Sequence, residues 1–190
     1  MAEEFKSSME HPVAVTVTNR PVGKWLVTPF SYKFGVQRGE SGSDVRYEVP
    51  VYAVTADGGR PFKALRFGLI NRNVTPPLPV RACDAGITEA ITVHPAWLPT
   101  YSPHRYTRPA RAGAWRLIEG QRFLIHEGPE EPSKLERGSL GCIEIVGAGE
   151  WNAFLLQLET IGGETVATLA ASKAITVTIE DASYPMARLV

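Results

Sequence analysis

A cysteine and a histidine lie close together in a glycine-rich part of this sequence. His126 ends the apolar run 123–126, and Cys142 follows it by 16 residues, directly after the turn-forming residues 138–141. A thiol is a weak nucleophile until it ionises, and a neighbouring imidazole can lower its pKa or accept its proton. These residue types predict a thiolate nucleophile at Cys142, with His126 as the general base.

The segment before Cys142 reads Gly-Ser-Leu-Gly and predicts an exposed turn with backbone N–H groups near the thiol. Such groups can stabilise the oxyanion of a tetrahedral intermediate, so Ser139 and Gly141 join the predicted catalytic site. Ser139 lacks the Gly-x-Ser-x-Gly elbow of a serine nucleophile. Its hydroxyl is expected to hydrogen-bond the turn or to donate to the oxyanion.

Strands must position these residues, because strand signatures dominate the chain. Alternating, β-branched and aromatic residues predict strands over residues 13–18, 25–30, 47–55, 62–70, 87–93, 114–117, 122–126, 141–146 and 174–179. A turn at 57–59 predicts a hairpin over 47–70. Apolar residues at helical spacing predict one helix over 151–161, which Gly162 and Gly163 end. The predicted fold is mostly β, a sandwich or partly open barrel with one main helix after the cysteine.

Residues 95–113 contain four prolines, which exclude a helix or a central strand there. They predict a long irregular loop that is either a lid or rim over a site or a simple crossover. His104 lies in this loop and His94 directly precedes it. Each of these two histidines would orient the His126 imidazole or bind substrate, or else be an ordinary surface histidine. His104 is kept as a substrate-binding candidate.

The composition favours a single domain and excludes several classes of partner. With 20 basic and 20 acidic residues the formal net charge is zero, so no global basic field exists to bind nucleic acid or an anionic membrane. The two cysteines and four histidines lack zinc-ligand spacing, so no metal and no other cofactor is expected. Cys83 is expected to be a small buried residue.

Residues 123–146 resemble the catalytic domain of the L,D-transpeptidases, which has a His-Gly motif, a loop and then Ser-His-Gly-Cys-Ile/Val-Arg. Four residues match the second motif: Ser139, Gly141, Cys142 and Ile143. His126 matches the histidine of the first motif, and Gly128 stands for its glycine, displaced by one position. The chain departs from the family at Leu140, in place of histidine, and at Glu144, in place of arginine.

The resemblance implies an L,D-transpeptidase-like catalytic domain over residues 11–190, after a flexible N-terminus at 1–10. It implies acyl transfer on peptidoglycan stem peptides, by carboxypeptidase or endopeptidase hydrolysis or by transpeptidation and exchange. Gly128, Leu140 and Glu144 would then contact the substrate. Glu144 would hold a substrate amine or lie on a solvated strand face.

The first residues show no basic segment followed by an apolar run, which predicts synthesis in the cytoplasm without a signal peptide. A divergent domain of this kind resembles antibacterial effectors that contact-dependent secretion systems export to the periplasm. The resemblance implies an immunity or secretion-system protein as a partner beside peptidoglycan. Two rival hypotheses stay open: a cysteine peptidase or amidase on a protein substrate, and an inactive cell-wall-binding module with the same fold.

Overall fold

The structure of the chain, a computed structural model, describes residues 11–31, 46–71, 77–101, 111–131 and 139–190. Within these ranges the strands are β1 (Val13–Val27), β2 (Phe30–Ser31), β3 (Tyr47–Ala56), β4 (Phe62–Leu65), β5 (Ile70–Asn71), β6 (Val80–Ala82), β7 (Ile91–Val93), β8 (Ala96–Leu98), β9 (Ala114–Arg116), β10 (Leu124–Glu127), β11 (Ile143–Ile145), β12 (Ile175–Ile179) and β13 (Met186–Leu189). The helices are α1 (Glu150–Gly162) and α2 (Val166–Ala171). Neither helix is long and apolar enough to cross a membrane.

Eleven of the described strands form one sheet that curls into an open half-barrel. Its main path runs β7-β12-β1-β3-β4-β11-β10-β9-β8, and β13 pairs with both β3 and β6 beside that path. β2 and β5 form a separate two-stranded sheet. Strands take 43% of the described residues and helices 13%, so the predicted mostly β fold with one main helix after Cys142 is confirmed.

The main hydrophobic core lies between this sheet and α1. The buried residues of α1 are Trp151, Phe154, Leu155, Leu158 and Gly162. The first four of these share one cluster with alternate residues of the sheet, among them Val15, Val177, Ile125 and Ile143. Because Ile125 lies on β10 and Ile143 on β11, packing against this core fixes the two strands that carry the predicted site.

Local sequence signals predict several elements correctly. The hairpin over 47–70 is present, since β3 and β4 pair antiparallel. The strands predicted over 114–117 and 122–126 are also present, as the antiparallel pair β9 and β10. The helix ends as expected, because Gly163 follows α1 with a φ of 76°, a left-handed conformation that favours glycine.

Other boundaries differ from the prediction. Two separate strands are expected at 13–18 and 25–30, but β1 continues through Pro21, where its register with β3 shifts. Such an irregularity tolerates a proline inside a strand. The strand predicted over 62–70 ends at Leu65, and the one predicted over 87–93 begins only at Ile91.

Four of the described elements have no counterpart in the prediction: β6, β8, β13 and α2. The prediction of an irregular loop over 95–113 is wrong at β8, which is a three-residue strand between Pro95 and Pro99. Among the described strands, β8 ends the sheet path and pairs only with β9, so proline at its boundaries removes no central ladder bond. The predicted flexible N-terminus and His104 lie outside the described residues.

Candidate active site

Two parallel strands carry the predicted catalytic residues. β10 pairs with β11 in a register that places Ile125 beside Ile143. The next pair along is His126 beside Glu144. Side chains alternate along a strand, and the two isoleucines belong to the core, so His126 and Glu144 share the opposite face. Cys142 directly precedes β11 and, by the same alternation, lies on the side of Glu144.

The His126 imidazole is 2% exposed and has a contact at each nitrogen. Nδ1 lies 2.6 Å from Glu127 O, and because a carbonyl oxygen only accepts, Nδ1 carries a proton. Nε2 lies 3.8 Å from Glu144 Oε1. The Tyr101 ring lies against the imidazole, with 5.7 Å between the ring centroids. These contacts fix the tautomer and orientation of the ring.

The Cys142 thiol is partly exposed and donates a hydrogen bond to Arg122 O at 3.5 Å. The pKa of this thiol is raised to about 11, mainly by burial. A hydrogen bond with the Leu124 backbone lowers the pKa in part, and the charge of Glu144 raises it further. Of the two effects expected from a neighbouring imidazole, a lowered thiol pKa is not found, and acceptance of the thiol proton by His126 stays a prediction. Within the described residues, no hydrogen bond joins Cys142 Sγ to His126.

The turn before Cys142 is held by the side chain of Ser139. The Ser139 hydroxyl donates to Cys142 O at 2.6 Å and accepts from the N–H of Gly141 at 2.9 Å. This is the turn-holding role predicted for Ser139. Gly141 has a φ of 103°, which favours glycine, and its N–H is engaged in the turn. Backbone N–H groups of the turn other than that of Gly141 are therefore needed to stabilise an oxyanion.

Close backbone packing positions this turn on the neighbouring loop. A Cβ at Gly68 would lie 2.3 Å from Ser139 O, and a Cβ at Gly141 would lie 2.7 Å from the nitrogen of Gly86. Side chains at these positions would collide with backbone atoms, which cannot rotate away. Glycine at Gly68 and Gly141 thus lets the turn approach the segment around Gly86, and sequence reasoning identified only Gly141.

Two predicted substrate contacts have different surroundings. Gly128 is buried, its N–H donates to Ile145 O at 2.8 Å, and a Cβ there would lie 2.8 Å from Glu144 Cβ. Gly128 therefore lets the chain after β10 pack closely on β11. Leu140 is 41% exposed at the tip of the turn, where a ligand can reach it.

Cys83 and His94, which were not included in the predicted catalytic site, lie elsewhere in the fold. Cys83 is buried in a second hydrophobic cluster, as expected, and it is not bonded to Cys142. His94 Nδ1 lies 3.0 Å from Ile175 O, on the β7–β12 side of the sheet, so it does not reach His126. Tyr101, which sequence reasoning did not assign to the site, lies inside the proline-rich segment 95–113. Its contact with His126 is long-range and left no local signal.

The geometry is compatible with nucleophilic chemistry at a thiol. No protein-family model, curated protein or solved structure matches this chain significantly. The resemblance of residues 123–146 to L,D-transpeptidases therefore stays a prediction. No group of three or more potential ligand side chains that could hold a metal ion occurs in the described part of the chain.

Cys142 is expected to alkylate faster than Cys83 near neutral pH. Burial raises the pKa of the Cys83 thiol to about 12, against about 11 for Cys142. The thiolate fraction is then about tenfold larger at Cys142, and its greater exposure adds to the difference. Iodoacetamide labelling with peptide mass spectrometry measures both rates, and single Cys→Ala variants assign them. Equal, slow labelling of both thiols would contradict this expectation.

Proposed function

We propose that this chain is a cysteine acyl-transfer enzyme that acts on peptidoglycan stem peptides. The observation that carries the proposal is the parallel pairing of β10 with β11. His126 lies on β10, and the turn with Cys142 directly precedes β11. The bond from Nδ1 to Glu127 O supports it, because it leaves Nε2 as the nitrogen that exchanges a proton. The substrate class comes from the resemblance of residues 123–146 to L,D-transpeptidases.

In the proposed reaction, His126 Nε2 accepts the thiol proton while Cys142 Sγ bonds to a carbonyl carbon of the stem peptide. That carbonyl belongs to meso-diaminopimelate and adjoins a D-amino acid. Turn N–H groups donate to the oxyanion. The C–N bond then breaks, and the departing amine takes the proton from His126. Water or a second amine resolves the thioester, giving hydrolysis or transpeptidation.

The resting geometry must change before this reaction can occur. Cys142 Sγ donates to Arg122 O, so its side chain has to turn from that carbonyl towards His126. Such a rotation connects staggered rotamers of a partly exposed side chain. Catalytic hydrogen bonds in unliganded enzymes are often long and tighten only when substrate is bound.

One observation favours a second candidate, an inactive cell-wall-binding module. The pKa of the Cys142 thiol is raised to about 11, whereas a resting thiolate would need a lowered value. A module of this kind would bind sacculi without changing them. The two candidates therefore differ in their products, and one experiment can separate them.

Incubation of purified Gram-negative sacculi with the protein, followed by muropeptide mass spectrometry, tests the proposal. We expect trimmed, exchanged or newly cross-linked stem peptides to accumulate under reducing conditions. Binding of the protein to sacculi without any new muropeptide, across several pH values, would support the inactive module. Absence of both binding and products would reject peptidoglycan as the substrate.

A further inference from the structure

Tyr184 presents an exposed aromatic ring close to the turn that precedes the candidate nucleophile. It lies in the irregular segment between β12 and β13. Backbone hydrogen bonds hold this segment on both sides of the ring. Ahead of it, the N–H of Ala182 donates to Thr88 O at 2.9 Å, and behind it, Pro185 O accepts from the N–H of Cys83 at 2.9 Å. The fold therefore sets the position of the backbone from which the ring projects.

The side chain of Tyr184 has two contacts that orient the ring. Its hydroxyl donates a hydrogen bond to Gly86 O at 3.3 Å. Its ring meets the ring of Phe67 edge to face, with 5.5 Å between the centroids and 79° between the planes. Aromatic pairs favour this arrangement. The Tyr184 ring is thus held in one place although much of the residue faces solvent.

Gly86 connects Tyr184 to the turn before Cys142. A Cβ at Gly141 would lie 2.7 Å from Gly86 N, so the backbones of Gly141 and Gly86 are in contact. Gly86 also accepts the Tyr184 hydroxyl, and Cys142 directly follows Gly141. Because an extended peptide spans about 3.3–3.6 Å per residue, a substrate whose carbonyl lies at Cys142 reaches the Tyr184 ring within a few residues.

The surface that Tyr184 offers to a ligand is apolar. Its hydroxyl already donates to Gly86 O, so the ring is the part that a ligand can cover. Leu140, at the tip of the turn, is a second exposed apolar residue beside Cys142, and both Leu140 and Tyr184 are 41% exposed. Single exposed apolar residues are common on protein surfaces, whereas two beside one candidate nucleophile suit an apolar ligand group.

We propose that Tyr184 is a specificity-determining residue whose ring takes an apolar group of the substrate beside the carbonyl that Cys142 attacks. The inference rests on the proposed function, in which Cys142 is the nucleophile, and adds a preference among its acyl substrates. The ring acts through contact with the substrate alone. Its removal should therefore change which substrate reacts faster and not the intrinsic reactivity of the thiol.

Two alkylating reagents that share one reactive group test this inference without any peptidoglycan. In a Cys83→Ala background, the rate of Cys142 labelling is measured at one pH with iodoacetamide and with N-benzyl-iodoacetamide. The ratio of the two rates cancels the ionisation and the nucleophilicity of the thiol, because both reagents meet the same thiolate. Relative to the ratio for free glutathione, we expect about a fivefold preference for the benzyl reagent, as one aromatic contact provides.

Variants of Tyr184 separate the ring from its hydroxyl. Tyr184→Phe keeps the ring and its contact with Phe67 and should keep a preference of similar size. Tyr184→Ala removes the ring and should lower the ratio to about that of free glutathione. Met186→Ala is the matched control, because it removes an exposed apolar side chain two residues further along the chain and should leave the preference unchanged.

A benzyl preference that Tyr184→Ala leaves unchanged would overturn the inference, as would the absence of any preference in the Cys83→Ala protein. If Tyr184→Ala does not fold, Tyr184→Gln carries the test, because its amide can still donate to Gly86 O while it presents no ring. An undiminished preference in that variant would overturn the inference as well. Failure to change muropeptides would reject the proposed function alone, because the labelling ratio does not involve peptidoglycan.

Discussion

Replacing Cys142 by alanine is expected to abolish the formation of new muropeptides from sacculi while leaving the fold intact. Loss of Sγ removes the atom that forms the thioester, and losses of this kind lower kcat by roughly four orders of magnitude or more. The thiol is partly exposed, and its hydrogen bond to Arg122 O is long at 3.5 Å. The free energy of unfolding should therefore fall by less than about 1 kcal/mol.

His126→Ala should lower turnover nearly as much, because a nucleophile and its base act as a unit and their losses do not add. His126 is buried, so thermal unfolding of this variant is measured beside its activity. Cys83→Ala is the matched control, since Cys83 lies in the second cluster away from the site and should keep wild-type turnover. Product formation by Cys142→Ala at the wild-type rate would reject Cys142 as the nucleophile.

The local setting of the site residues could be predicted from the sequence, because strand and turn signals are local. The apolar run that ends at His126 predicts β10, and the Gly-Ser-Leu-Gly segment predicts the turn that Ser139 holds. The mostly β fold and α1 also follow from residue periodicity. These features need no knowledge of which strands pair.

The partners of the site residues could not be predicted, because strand pairing is a long-range property. Glu144 was expected to hold a substrate amine or to face solvent, but the register of β10 with β11 buries it beside His126. The solvated alternative is therefore wrong. Tyr101 reaches His126 in the same way, through pairing of β8 with β9 and β9 with β10.

Short elements were missed because their signals are weak or conflict with stronger ones. α2 spans only six residues, and its one clear signal is Thr165, whose hydroxyl accepts from Thr168 N at the N-terminus. β6 and β13 pair with each other, and each is too short for a pattern of alternation. Proline at the ends of β8 argues for a loop although Trp97 and Trp115 pair across β8 and β9.

Gly68→Ala is expected to lower turnover by about a hundredfold, although Gly68 is no member of the proposed catalytic pair. Its new Cβ would lie 2.3 Å from Ser139 O and 2.9 Å from Gly141 N, both backbone atoms of the turn. Gly68 itself is fixed, because its N–H donates to Ala85 O at 2.8 Å and its carbonyl accepts from Asp84 N at 3.0 Å. The turn must move instead, and a displacement of about 1 Å near the reacting atoms costs about a hundredfold in rate.

Gly23→Ala is the matched control for this substitution. Gly23 lies in β1, and a Cβ there would lie 3.4 Å from Val51 Cγ2, an ordinary contact with a side chain. Its turnover and unfolding temperature should stay close to wild type, whereas Gly68→Ala should lose about 1–3 kcal/mol of stability to overpacking. The alkylation rate of Cys142 reports displacement of the turn independently of substrate. Turnover and alkylation rates of Gly68→Ala that equal those of wild type would contradict this prediction. The position of the Ser139–Cys142 turn would then not control the reactivity of the Cys142 thiol.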